Sequence, residues 1–369
     1  MRDDRQRSSR ARSRAGAALA RALALGLMSA GGCGKPATQV VEVERSALVV
    51  IRQPTQTRIE GLSALAGWGA GRDCTFMHCL EVTLNGLGRH VDYDELMGLS
   101  GLAFRTQFRP GAWDASCPEP FAGAECVSAA LSALGLEAQT FFPQRGGVAG
   151  ESVAARDAVH KSLDAGVPVL ATNLIPPENW GIVTGYSAGG KRWWCRTYES
   201  RESDAAATGW PTAIFIVLRR TGRPEPRAAH RASVARAVSL HGLSETSGFA
   251  QGRGAFEAWA AELEKASGRE YMQANAWTYV SLVDARGAAA RYLRRIAPEF
   301  GLARGAVLRA ADLFERERQQ LENGRAFVPW PRDVPGGEPP EAVRSRQRVA
   351  LREAALLEEQ AFAELRKAQ

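Results

Sequence analysis

The chain has 369 residues and a formal charge of +7, a length that suggests two domains. Seven arginines and two aspartates fall within Met1–Arg21, so +5 of that charge sits at the N-terminus and +2 remains for everything after it. The basic balance is therefore no argument for a nucleic-acid partner, and no aromatic-basic motif supplies one.

The basic stretch is followed by an apolar run, Ala22 to Gly32, that ends in Ser29-Ala30-Gly31-Gly32-Cys33. A basic region, a short apolar region and small residues before a cysteine describe an export signal. The run is short for a bilayer span, which takes about 20 apolar residues, and no other segment is long and apolar enough. The pattern is similar to a bacterial lipoprotein signal, with Ala30 where Leu is usual. On that resemblance Cys33 becomes the lipidated first residue, and the protein is anchored to a membrane of the cell envelope by its N-terminal lipid. A plain cleaved signal or a single N-terminal anchor is the alternative.

Residues 34–56 begin as a polar tether with a candidate strand over 47–51. The next stretch, Gly71-Arg72-Asp73-Cys74-Thr75-Phe76-Met77-His78-Cys79-Leu80, opens a helix. Phe76, Leu80, Thr83, Leu84 and Leu87 share one face, and Gly88 is a natural stop. Asp73 or Cys74 then sits at the N-cap, where unpaired N–H groups and the helix dipole favour a thiolate. Further helices are expected over 93–97, about 122–134 and 152–165, and strands over 137–142, 167–171, 180–184, 192–196 and 213–218. Helices before a mostly antiparallel sheet make an α+β domain over 57–220. Thr221 to Arg227 is a Pro-containing linker, and residues 228–369 read as almost wholly helical. Phe256, Trp259, Ala260 and Leu263 share a face there, as do Trp277, Val280, Ser281, Val283, Asp284 and Ala288, and a long helix is expected over 341–367.

With Cys33 set aside, five cysteines remain: Cys74, Cys79, Cys117, Cys126 and Cys195. Export permits disulfides. Cys117 and Cys126 flank the turn-rich loop Pro118-Glu119-Pro120-Phe121-Ala122-Gly123, whose ends either meet in a bridge or stay as free thiols. The chain has no C-x-x-C pair and no His-rich cluster, so neither a metal site nor a cofactor is expected.

Four stretches carry a resemblance: the Cys74 helix ending in Leu87-Gly88; Tyr93-Asp94-Glu95-Leu96-Met97-Gly98-Leu99-Ser100-Gly101-Leu102-Ala103-Phe104-Arg105; Ala165-Gly166-Val167-Pro168-Val169-Leu170-Ala171; and Pro176-Pro177-Glu178-Asn179-Trp180-Gly181-Ile182-Val183-Thr184-Gly185-Tyr186. Over about 57–220 they resemble the papain-like N-terminal domain of the butirosin-biosynthesis acyltransferase H family, itself related to the double-glycine leader peptidases. The resemblance implies a papain-like fold with helices packed on an antiparallel sheet, and a triad mapping onto Cys74, Asn179 and Thr197. The slot that holds a histidine in the related peptidases holds Asn179 here, and the aspartate slot holds Thr197. An amide cannot take a thiol proton at neutral pH, so Cys–His chemistry fails as written.

Glu178, at the mouth of the same strand, is a candidate base if burial raises its pKa, or a solvated loop acid. Arg105 either holds the Ser100–Gly101 loop or binds an anionic ligand. Arg196, beside Thr197, is placed to pair with Glu178 across the site. His78 lies one turn from Cys74, either as an unusual partner or as a partly exposed surface imidazole, and Cys79 reads as a buried core thiol. Two functions follow. One is a degenerate cysteine hydrolase or acyltransferase whose cleft binds a small molecule or peptide. The other is an active thiol-dependent amide or thioester hydrolase or acyltransferase with Cys74 as nucleophile.

Overall fold

The computed structural model describes residues 48–142, 153–176, 179–201, 203–219, 225–331, 333–334 and 339–369. Cys33, Glu178 and most of the 221–227 linker lie outside them. The elements in order are β1 (Val49–Gln53), β2 (Gln56–Glu60), α1 (Thr75–Gly86), α2 (Tyr93–Ser100), β3 (Gln107–Phe108), α3 (Val127–Ala133), β4 (Leu136–Phe141), α4 (Val153–Asp164), β5 (Val169–Thr172), β6 (Trp180–Ser187), β7 (Arg192–Arg196), β8 (Ala205–Ala207), β9 (Ile214–Arg219), α5 (Pro226–His241), β10 (Glu245–Thr246), β11 (Phe249–Gln251), α6 (Gly252–Lys265), α7 (Arg269–Ile296), α8 (Arg304–Gly324) and α9 (Glu341–Arg366). Mixed helix and antiparallel sheet followed by a helical C-terminal region is the α+β class the sequence predicts.

The described residues form two units: 48–96 with 131–219, and 97–130 with 225–369. The sequence puts 97–130 with the first domain, whereas here this stretch belongs with the C-terminal helices. The linker expected to run to Arg227 is also shorter, because Pro226 already starts α5, capped by the Glu225 side chain accepting the Arg227 N–H at 3.0 Å.

The first unit is built on an eight-stranded sheet in the order β1-β2-β6-β5-β9-β4, with β7 on β6 and β8 on β7. Every pairing is antiparallel. Strand β6 is the hub. It pairs with β5 over 180–183, with β2 over 185–187 and with β7 over 182–187. Gly185 makes this possible, since a Cβ there would lie 2.3 Å from the Thr57 carbonyl oxygen of β2. Side chains alternate along the strands. Val169, Ala171, Val183, Ile214 and Ile216 pack with Val159 and Leu163 of α4. Trp180 and Phe215 point to the other face and meet Phe76 of α1 edge-on, with ring centroids 4.8 and 5.0 Å apart. Cover on both faces explains why the central strands β5 and β9 read as continuous apolar runs.

The second unit joins α5–α9 with a small three-stranded sheet, β10-β11-β3. Phe108 of β3 stacks on Trp259 of α6, centroids 5.7 Å apart and nearly parallel, in a core with Phe256, Leu263, Tyr279, Leu321 and Leu351. Helix α7 is buried around most of its circumference, so the single face expected at Trp277 and Val280 misses Tyr279 and Leu282, which lie in that core. At its centre Arg286, fully buried, is flanked by the buried carboxylates Glu317 and Glu358.

Candidate functional site

Cys74 occupies the N-cap of α1 with extended backbone (φ −78°, ψ 95°), its carbonyl accepting the His78 N–H at 3.1 Å. The thiol makes no capping hydrogen bond, and the residue is half-buried. Its own N–H donates to the Tyr93 hydroxyl at 3.0 Å, which removes that group from a ready-made oxyanion hole. The preceding turn is tightened by Asp73, whose carboxylate accepts the Gly69 N–H at 2.7 Å. The helix ends as the sequence predicts, with Gly88 in the left-handed region at φ 79°.

The start of β6 lies against this helix start. Trp180 donates its N–H to Thr75 Oγ1 at 3.4 Å, and its carbonyl oxygen accepts the Cys79 thiol at 3.6 Å. Asn179, half-buried, therefore stands one residue from a contact with the neighbour of Cys74. Gly181 follows, where a Cβ would lie 2.9 Å from the Thr197 methyl. The Cys74, Asn179 and Thr197 segments thus converge at one end of the sheet.

Thr197 and Arg196 are nevertheless committed to local structure. Thr197 Oγ1 accepts the Glu199 N–H at 3.2 Å and lies 3.3 Å from Ser200 Oγ, a side-chain-bonded turn. The expected Arg196–Glu178 pairing falls on a residue outside those described, and the partners of Arg196 among the described residues are these. Arg196 donates through Nη1 to the carbonyls of Leu62 and Ser63 at 2.6 and 2.8 Å and through Nη2 to Asp204 at 3.2 Å. Asp204 also accepts the Thr184 hydroxyl at 2.8 Å, where β6 and β7 slip in register. The sequence misses Asp204, because only the β7–β8 pairing brings it opposite Arg196.

His78 differs most from expectation. It is not a surface imidazole but only 4% exposed. Nε2 accepts the Ala66 N–H at 2.8 Å, and Nδ1 lies 2.7 Å from Glu81 Oε2. Glu81 also accepts Arg72 Nε and Nη2 at 3.0 and 3.3 Å and the Tyr93 N–H at 3.0 Å. Burial alone would raise its pKa, but the hydrogen bonds from His78 and Arg72 and the Arg72 charge hold it below the ordinary carboxylate value. The Tyr93 and Tyr198 rings stand edge-on to the imidazole. Neither ring nitrogen of His78 is turned to the Cys74 thiol as a free base. Cys79 is fully buried, and desolvation, with the nearby Cys74, drives its thiol pKa far up.

Arg105 holds a loop other than the expected Ser100–Gly101 turn. It is buried in the second unit and donates to the carbonyls of Ala122 (3.0 Å), Ala124 (2.7 Å), Glu119 (2.9 Å) and Cys117 (3.4 Å). It thereby gathers the 117–124 loop, whose flanking Cys117 and Cys126 the sequence left open as a bridge or as free thiols. Both cysteines are free. Burial pushes Cys117 up to about 12 and raises Cys126 as well, so each behaves as a small core residue.

Among the described residues, no three His, Cys, Asp or Glu side chains converge in a metal-binding arrangement, and no helix is long and apolar enough to cross a membrane. No protein-family model matches the chain, and none of the curated proteins matches it either.

Proposed function

We propose that this is an envelope-anchored, papain-like protein whose cleft has lost Cys–His chemistry and holds a small molecule or peptide. The observation that supports this reading is the hydrogen bond from the Trp180 N–H to Thr75 Oγ1: Asn179 and Cys74 are the residues that precede these two, and an amide cannot take a thiol proton at neutral pH. The engagement of both His78 nitrogens and of the Cys74 N–H supports the same reading.

An active thiol hydrolase or acyltransferase is the second reading. It draws on the half-buried position of Cys74 at a helix N-terminus, where the dipole favours a thiolate.

Alkylation of Cys74 by iodoacetamide separates the two. The impaired cleft labels no faster than free cysteine at neutral pH. Asn179→His, which returns an imidazole to the strand start, should then raise the rate about tenfold. A wild type that labels tenfold faster than free cysteine overturns the reading. The anchor has its own test. Cys33→Ser should release the protein from membranes or leave an uncleaved precursor, and a wild type found soluble overturns the anchor.

A further inference from the structure

Helix α9 packs into the C-terminal unit through Ala350, Leu351, Ala354, Ala361, Phe362 and Leu365. Its outer face is not uniformly polar. Val349 and Leu356 are 49% and 60% exposed there. They are seven positions apart, a spacing over which an ideal helix drifts only about 20°, so one lies almost directly above the other. Ala342 and Ala363, also exposed, continue the stripe at the same interval. Apolar residues scattered singly on a surface need no explanation, but a stripe at heptad spacing on a charged helix is the pattern of a helix seam.

The charges beside the stripe say what fits it. Arg346 comes three residues before Val349, and Glu353 three before Leu356, so both border the stripe on the same flank. Being about 10 Å apart along the axis, they do not pair with each other on one helix. Arg346 lies over the Phe327 ring, 5.5 Å from its centroid, and Glu353 accepts the Gln320 side chain. Both remain exposed. A two-fold axis beside Val349 turns this flank onto itself. Val349 then meets the partner's Val349, Leu356 covers the partner's Ala342, and Arg346 reaches the partner's Glu353, once on each side. An axis midway between Val349 and Leu356 would instead set Arg352 and Glu353 each against its own copy. Helices running in the same direction would lay the half with Arg346 and Arg352 along its own copy and align the two helix dipoles.

We propose that α9 is the interface of a homodimer, two copies pairing antiparallel along the Val349–Leu356 stripe and held in register by reciprocal Arg346–Glu353 ion pairs. A seam of one helix per copy is small, so the dimer dissociates in the range of about 1–100 μM.

The test is sedimentation velocity of the full chain over that range. The N-terminal segment is the same in every variant, so a change of state belongs to α9. Wild type should pass from monomer to dimer. Leu356→Glu, which would bury an unpaired charge in the seam, should stay monomeric. Arg346→Glu and Glu353→Arg should each weaken the dimer about tenfold, and the two together should restore it to within about threefold of wild type. Both positions are exposed, so the charge variants keep the fold even if Leu356→Glu does not. The pairing is overturned by a wild type that stays monomeric, by a Leu356→Glu protein that still dimerises, or by a double variant no tighter than Glu353→Arg alone. A monomeric wild type whose melting temperature falls with Leu356→Glu would show that another segment of the same chain covers the stripe, and that too overturns the dimer.

Discussion

Thr75 and Trp180, 105 positions apart in the chain, are joined by a single hydrogen bond from the Trp180 N–H to Thr75 Oγ1. It fixes where the sheet meets the helix that Cys74 begins. Thr75→Val keeps the shape and deletes the acceptor. Stability should fall by about 1 kcal/mol, and the Trp180 amide should exchange faster with solvent than its neighbours in β6. Unchanged exchange at Trp180 would mean that the ring contacts with Phe76 alone hold the strand.

Gly185 is the point where β2 reaches the hub strand. A side chain there meets backbone rather than a flexible side chain, at 2.3 Å from the Thr57 oxygen and 2.9 Å from Arg58 Cα. Gly185→Val should cost roughly 3 kcal/mol or more in a denaturant titration, and Gly209→Ala, at a position with open space, far less.

Arg105→Met retains much of the buried stem and removes the charged donor from four carbonyls. The expected loss is about 3 kcal/mol, and Cys117 and Cys126 should become reactive toward thiol reagents without added denaturant. Thiols that stay silent in a folded Arg105→Met protein would show that the loop needs no clamp.

Glu317 sets a pH dependence in the C-terminal unit. Desolvation pushes its pKa up to about 8, with Glu358 adding to the rise and Arg286 opposing it. Arg286 from α7 and Glu358 from α9 face it. His241 from α5 lies beyond Glu358. A carboxyl whose folded pKa lies above its unfolded value of about 4.3 stabilises fully below that value. That contribution is lost as pH rises toward about 8. The melting temperature should fall between pH 5 and pH 9, and Glu317→Gln should flatten that fall. An equally steep fall in the variant would place the titration elsewhere.

The helix of Cys74 was legible because Phe76, Leu80 and Leu84 repeat at helical spacing and Gly88 ends them. Strands β5 and β9 were legible because they are apolar almost throughout, and β6 and β7 because aromatic and β-branched residues lie between Gly-containing turns. Strand β2, Gln-Thr-Arg-Ile-Glu, was not, since only Thr57 and Ile59 turn inward and three polar residues mask the alternation. Nor was the His78–Glu81 pair. Two ionisable residues three apart read as a solvated helix face, and they are buried by Ala66, Tyr93 and Tyr198, which are remote in sequence. Asn179 and Cys74 were placed by resemblance, and what the structure joins are the residues after them, Trp180 and Thr75; Arg105 and Arg196 were singled out by charge, which says nothing about how many backbone carbonyls await them.

The grouping of residues 97–130 with the C-terminal helices has a consequence for how the chain is made. During synthesis this stretch emerges well before α5 to α9 exist, and Phe108, Cys117 and Ala122 belong to a core completed by Trp259, Tyr279 and Leu351. Until the last helix is released, a segment of apolar side chains must wait uncovered in the middle of the nascent protein. A stop codon near residue 220 would therefore not liberate a smaller working domain. It would leave a sheet with an orphaned insert, and the expected fate of such a product is aggregation or proteolysis.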